Sequence, residues 1–176
     1  MANLKPPVNE NDHHTGNDKA KITLVEYGDY QCSHCAHAHP LLKELLEEKG
    51  DYFKFVFRNF PLKEAHPLAM LSALAAEAAG KQHKFWEMHD MLYENQAQLT
   101  RDSFIEFAES LDLDLEKFAA DLQSETISSK VENDFESGIR SGVNGTPSFF
   151  INDKKLNIYD GTYESLKSAV TDYVQE

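Results

Sequence analysis

Two cysteines, Cys32 and Cys35, stand two residues apart in the stretch YQCSHC (residues 30–35), and a chain of 176 residues holds no others. Two cysteines cannot build the framework of a disulfide-stapled mini-protein, and a chain of 20.0 kDa does not need one, so the pair is there for chemistry or for a metal. A thiol attacks only as the thiolate, which makes the pKa of Cys32 the deciding quantity. Cys32 falls at or just before the first turn of a helix, where unpaired N–H groups and the positive dipole end favour an anion. Ser33 and His34 add a hydroxyl and an imidazole at close range. Cys35, one turn later and facing inward, can attack a mixed disulfide on Cys32 and release the partner protein.

The elements that must position this pair are legible on both sides of it. Residues 21–27 (KITLVEY) form a short β-branched, apolar run, the mark of a buried strand. From residue 33 to about 49, Cys35, Ala38, Leu42 and Leu45 recur at offsets of three and four, which predicts a helix that turns Cys35 to the core, leaves Cys32 exposed and ends at Gly50. Residues 52–58 (YFKFVFR) alternate, with Phe53, Phe55 and Phe57 on one side and Lys54, Val56 and Arg58 on the other. Strand, helix and strand make a βαβ unit with parallel strands. Helices follow at 67–79, 84–93, 103–110, 115–122 and 124–141, with Thr100 and Asp114 as N-caps. Strands return at 148–151 (SFFI) and 155–159, joined by a turn at Asn152-Asp153, before a last helix at 162–174. The expected fold is α/β: βαβ–ββα with a mixed four-stranded sheet formed by 20–60 and 142–176, and an all-helical insertion at 61–141. Residues 1–19 are polar, carry Pro6-Pro7 and read as a flexible arm.

Bulk properties exclude several functions. With 17 basic against 30 acidic residues the net charge is −13, which opposes nucleic acid and anionic lipid as partners. No run reaches the length of about 18 apolar residues that a spanning helix needs. MANLKPPVNENDHH has no apolar h-region, so the chain as it stands reads as cytoplasmic, and as periplasmic were a leader to precede it.

A second motif is independent of the first. Gly145-Thr146-Pro147 opens directly onto SFFI, and the first residue of a strand is one of the few places a sheet admits proline; such a proline is a candidate for a cis peptide bond. The strand KITLVEY leading to a CxxC at a helix start, with GTPSFFI far downstream, resembles the thioredoxin superfamily. The helical insertion and HKFWEMHDMLY resemble its DsbA-like branch of thiol-disulfide oxidoreductases, and the likeness covers about residues 21–174. The resemblance implies that Cys32 attacks and Cys35 resolves. It implies that Thr146 and a cis Pro147 lie beside the disulfide, with the Thr146 backbone pairing with an extended substrate. It matches Glu26, six positions before Cys32, to a buried acid that relays protons for the inner cysteine, with Lys54 or Arg58 as the partner of that carboxylate. Ser33 replaces the Pro usual in the oxidase branch, while the retained His34 argues for an oxidising couple. The expectation is a monomeric oxidase of protein thiols that needs no cofactor beyond its dithiol and is recycled by an unidentified redox partner. A reductase or isomerase of the same fold is the alternative.

Readings from other classes are weaker. A zinc-binding interaction module would add His34, His37, His39, His13 or His14 to the two sulfurs, but His37 and His39 point to separate sides of one helix. Haem attachment needs His at position 36, which is Ala36. His66, His83 and His89 read as surface or satisfied polar groups, and Trp86 with its aromatic neighbours as a core seam. Glu26 could also be an edge residue paired with a lysine.

Overall fold

The structure, a computed structural model, describes residues 2–173. Strand β1 (His13–Gly16) is followed by β2 (Ile22–Gly28), helix α1 (Ser33–Lys49), β3 (Phe53–Asn59), helices α2 (Ala69–Gly80), α3 (Phe85–Glu94), α4 (Ser103–Ser110), α5 (Leu115–Asp121) and α6 (Glu125–Arg140), strands β4 (Ser148–Ile151) and β5 (Lys154–Lys155), and helix α7 (Tyr163–Thr171). The sheet order is β1-β3-β2-β4-β5. Apolar β2 takes the centre because both its faces can be buried; β3 joins it in parallel, Glu26 opposite Phe57, and β4 antiparallel, Glu26 opposite Phe149.

Strand alternation sorts the core. One face of the sheet sends Leu24, Phe53, Phe55, Phe149 and Ile151 against Ala38, Leu42 and Leu45 of α1 and Leu166, Ala169 and Val170 of α7. The opposite face sends Val25, Tyr27, Val56 and Phe150 against Leu4, Phe60, Val143 and, on α6, Phe135. A third cluster, built on α2 to α5, packs Phe85, Met88, Leu92, Tyr93, Phe104 and Phe118 with Tyr30, Phe57 and both cysteines. The helical block and the sheet thus meet at the CxxC turn.

The sheet has five strands where the sequence predicted four, because residues 2–19 are not a free arm. β1 pairs with the edge of β3, Leu4 is buried, and its N–H donates to the Asp153 carbonyl at 2.7 Å. Composition missed this because the segment is held mainly by backbone ladder bonds and by the charged partners of Asp12, His13 and Asp18 rather than by apolar area. Asp12 binds Arg58 at 2.8 and 2.9 Å, and the carbonyls of Pro6 and Pro7 accept from the same guanidinium at 3.0 and 3.2 Å. The last strand is shorter than predicted, two residues after the Asn152-Asp153 turn, and Ile158 beyond it is 60% exposed. Asp114 accepts from Lys117 N as an N-cap should, whereas α4 starts after Asp102 and Thr100 instead donates its N–H to Ser103 Oγ at 3.0 Å. Val174, at the end of the predicted last helix, lies outside the described residues.

Candidate active site

Cys32 is the N-cap of α1, with extended backbone (φ −73°, ψ 123°), and Cys35 lies on the inward face one turn on. Both are free thiols. Cys32 is more covered than the helix pattern predicted, at 7% exposure. The reason is tertiary: the loop before β4 lays the Thr146 carbonyl 3.4 Å from its sulfur, where the thiol donates to it. The Cys32 pKa is lowered from 9.0 to about 5. The Cys35 thiol contributes most, and the backbone amides of Cys35 and His34 act in the same sense against burial. At pH 7 such a sulfur is predominantly the thiolate. Cys35, fully buried, is pushed far the other way by burial, by the Cys32 sulfur and by the Glu26 charge. The two thiols have therefore been driven apart into an anion and a proton holder.

Glu26 lies on β2 with 1% exposure, and its Oε1 has no hydrogen-bond partner. Burial first, then the Cys32 charge, raise its pKa to about 8. Neither Lys54 nor Arg58 pairs with it. Lys54 binds Asp18 at 2.7 Å and Arg58 binds Asp12. The physical reason is parity: Glu26 stands opposite Phe57 in the register, so Lys54 and Arg58 project to the other face of the sheet. Gly28, at the end of the same strand, is there for close approach. A Cβ at that position would meet Phe57 Cε2 at 2.5 Å and the Tyr93 hydroxyl at 2.8 Å.

The Thr146-Pro147 peptide bond is cis. The Thr146 hydroxyl is buried without a hydrogen-bond partner. Ser33 and His34 are exposed beside the sulfur, and among the described residues neither side chain makes a hydrogen bond.

Sequence reasoning missed two supports of this turn. Gln96, in a 3₁₀ turn between α3 and α4, donates both N–H bonds of its Nε2 to the carbonyls of Tyr30 (2.8 Å) and Cys32 (2.9 Å). Asp29 accepts from Gln31 N (2.7 Å), Leu62 N (2.9 Å) and His66 Nδ1 (2.7 Å). Gln96 lies 64 positions from Cys32, and nothing local marks it; the Asp29 carboxylate beside YQCSHC was the one readable hint.

Of the histidines considered as zinc ligands, His13, His14 and His37 are engaged away from the cysteines. His13 binds Glu77, His14 faces Asp18, and His37 donates to the Gly161 carbonyl at 2.9 Å. His66 pairs with Asp29, and His89 is buried with Nδ1 2.9 Å from the Tyr30 hydroxyl.

A low-pKa thiol at a helix start, a second, buried thiol one turn inside and a cis-proline loop against the first point to redox chemistry, and comparison with known proteins places the fold. The thioredoxin family model Thioredoxin_4 matches residues 8–172. The structure superposes on BdbD from Bacillus subtilis with a TM-score of 0.83 and 27% identity, covering 97% of each chain. It superposes on α-DsbA2 from Wolbachia pipientis, a thiol-disulfide exchange protein, with a TM-score of 0.82 at 20% identity, covering 93% of this chain and 88% of that one. Among curated relatives, a Na(+)/H(+) antiporter NhaA 1 of Salinispora arenicola is 40% identical over 97% of this chain, which spans only 26% of that protein. The chain thus covers about a quarter of the length of the curated relatives it matches. This chain belongs to the thioredoxin family, and it shares its fold with BdbD and with the thiol-disulfide exchange protein α-DsbA2.

Proposed function

We propose that the chain oxidises thiols of other proteins to disulfides through Cys32 and Cys35. The observation that carries this reading is Cys32 at the N-cap of α1 with Cys35 one turn inside and the Thr146 carbonyl of the cis-proline loop against its sulfur, a setting that lowers its pKa to about 5. Stabilising the reduced form in this way makes the disulfide form the stronger oxidant. In the reaction a client thiolate attacks the Cys32 sulfur of the Cys32–Cys35 disulfide. The mixed disulfide forms, and Cys35 leaves and takes up a proton. A second client thiolate then attacks the client sulfur, closes the client disulfide and expels Cys32 as its anion. Two electrons pass from client to enzyme, and a separate redox partner must remove them. Cys35 is a poor leaving group unless protonated, and Glu26, neutral below about pH 8, is the buried acid beside it. Ser33 and His34, exposed beside the Cys32 sulfur, would tune the couple and meet the client, while the Thr146 backbone would align it in extended form.

An oxidase of this kind works in an oxidising compartment outside the cytoplasm. No helix among the described residues is long and apolar enough to cross a membrane.

The test is equilibration in glutathione buffers of set ratio, reading the fraction oxidised at several pH values. The expected potential is well above the thioredoxin value of about −270 mV, falling by about 60 mV per pH unit below pH 5 and about 30 mV above it, where only Cys35 takes up a proton. A value near thioredoxin's with no break near pH 5 would make the chain a reductase.

A further inference from the structure

One turn beyond Cys35 on α1, His39 is 5% exposed and its Nε2 has no hydrogen-bond partner. Two carboxylate oxygens of α3, Asp90 Oδ1 and Glu94 Oε1, each lie 3.6 Å away, too far for a hydrogen bond. Burial, aided by the Lys43 charge, outweighs these carboxylates and lowers the His39 pKa, so the ring is neutral and not the cationic half of an ion pair. A buried ring nitrogen left without a partner calls for an explanation. His89 comes alongside from α3, 3% exposed and likewise held neutral by burial, with its ring centroid 5.5 Å from that of His39.

These groups have the chemistry and spacing of a metal site. Ligand atoms of His39, His89 and Asp90 all lie within 4.8 Å of one another. A tetrahedral zinc ion with bonds of about 2.0–2.2 Å separates its ligands by about 3.3–3.6 Å, which the two gaps at His39 already meet. The Tyr30 hydroxyl, 2.9 Å from His89 Nδ1, can accept that nitrogen's proton and so fix the tautomer that leaves the other nitrogen free to ligate. Lys43 Nζ now bridges Asp90 Oδ2 and Glu94 Oε1 at 3.0 Å each. Its side chain is 42% exposed, so it can move into solvent when a dication replaces it. We propose that His39, His89 and Asp90, with Glu94 at the rim, bind one divalent transition-metal ion of the zinc type, tying α1 to α3 without either cysteine as a ligand.

The experiment titrates zinc calorimetrically into the protein with Cys32 and Cys35 joined as a disulfide, so that neither sulfur can ligate, and follows the melting temperature in parallel. One zinc per chain and a raised melting temperature are expected. Asp90→Asn, at a side chain 35% exposed, should weaken binding by at least about tenfold, and Lys43→Met should tighten it. His39→Gln should abolish binding. No saturable binding, or binding unchanged in Asp90→Asn, overturns the proposal.

Discussion

Glu26 and Glu77 are both buried carboxylates, at 1% and 6% exposure, and they live in opposite surroundings. Glu77, on α2, meets His13 Nε2 at 2.7 Å and accepts from Asn59 Nδ2 at 2.8 Å, with Lys130 Nζ at 3.8 Å. Burial works against its charge, yet these partners outweigh burial and hold it below the usual carboxylate range. Asp134, bound to Lys130 and to Asn59, belongs to the same network, and Asp12 and Arg58 form a second matched pair. Glu26 has no such partner, and it shares its neighbourhood with two other unpartnered buried oxygens, those of Thr146 and Tyr93. The contrast separates structural charge from reactive charge. Where partners reach the carboxylate, as at Glu77, ionisation holds elements together; at Glu26 none does, so a proton can be the partner.

Three changes would break or sharpen this contrast. Asp12→Asn, on the matched side, leaves the Arg58 guanidinium buried without its counter-ion and should cost about 3–5 kcal/mol in chemical denaturation, with no change in the Cys32 alkylation midpoint. A shifted midpoint would mean that the two regions are coupled. Glu26→Gln, on the unmatched side, should have the opposite sign. A carboxyl whose pKa rises from 4.5 to about 8 on folding gives stability that is complete below pH 4.5 and is lost as the pH climbs through 8. The variant should therefore gain about 3 kcal/mol at pH 7 and nothing at pH 4, while its release of mixed disulfides slows. Equal stability of the two proteins across that window would mean that Glu26 has a partner in solution. The smallest effect is expected of Gln96→Leu. Losing two donors to the carbonyls of Tyr30 and Cys32 should cost about 1–2 kcal/mol and raise the alkylation midpoint of Cys32 by about half a pH unit. An unmoved midpoint would reduce Gln96 to a purely structural clamp.

Much of the fold was readable because its signals are local. Period-two and period-3.6 patterns placed β2, α1, β3 and the helices of the block to within a few residues, and Asp114 announced its own cap. β1 was not readable, since an edge strand held by ladder bonds and by Asp12 has no apolar pattern to show. At the site, spacing singled out Cys32 and Cys35 for chemistry, the place of Pro147 before SFFI marked it for the cis bond it has, and only the resemblance put the two together. The pairing of Glu26 with Lys54 or Arg58 was misjudged even though the alternation of YFKFVFR puts both cations across the sheet from it. Only the register, which assigns Glu26 to Phe57, made that parity usable.

The sequence by itself determined that a reactive thiol would begin a helix with a second thiol one turn inside, because helix periodicity and the unpaired amides of a first turn are properties of a short segment. Tertiary structure decided how far the sulfur is covered, which residue clamps its turn and whether the nearby acid is paired. Those outcomes depend on Thr146, Gln96 and β3 arriving from distant parts of the chain, and burial acts on a charge only once the fold has closed around it.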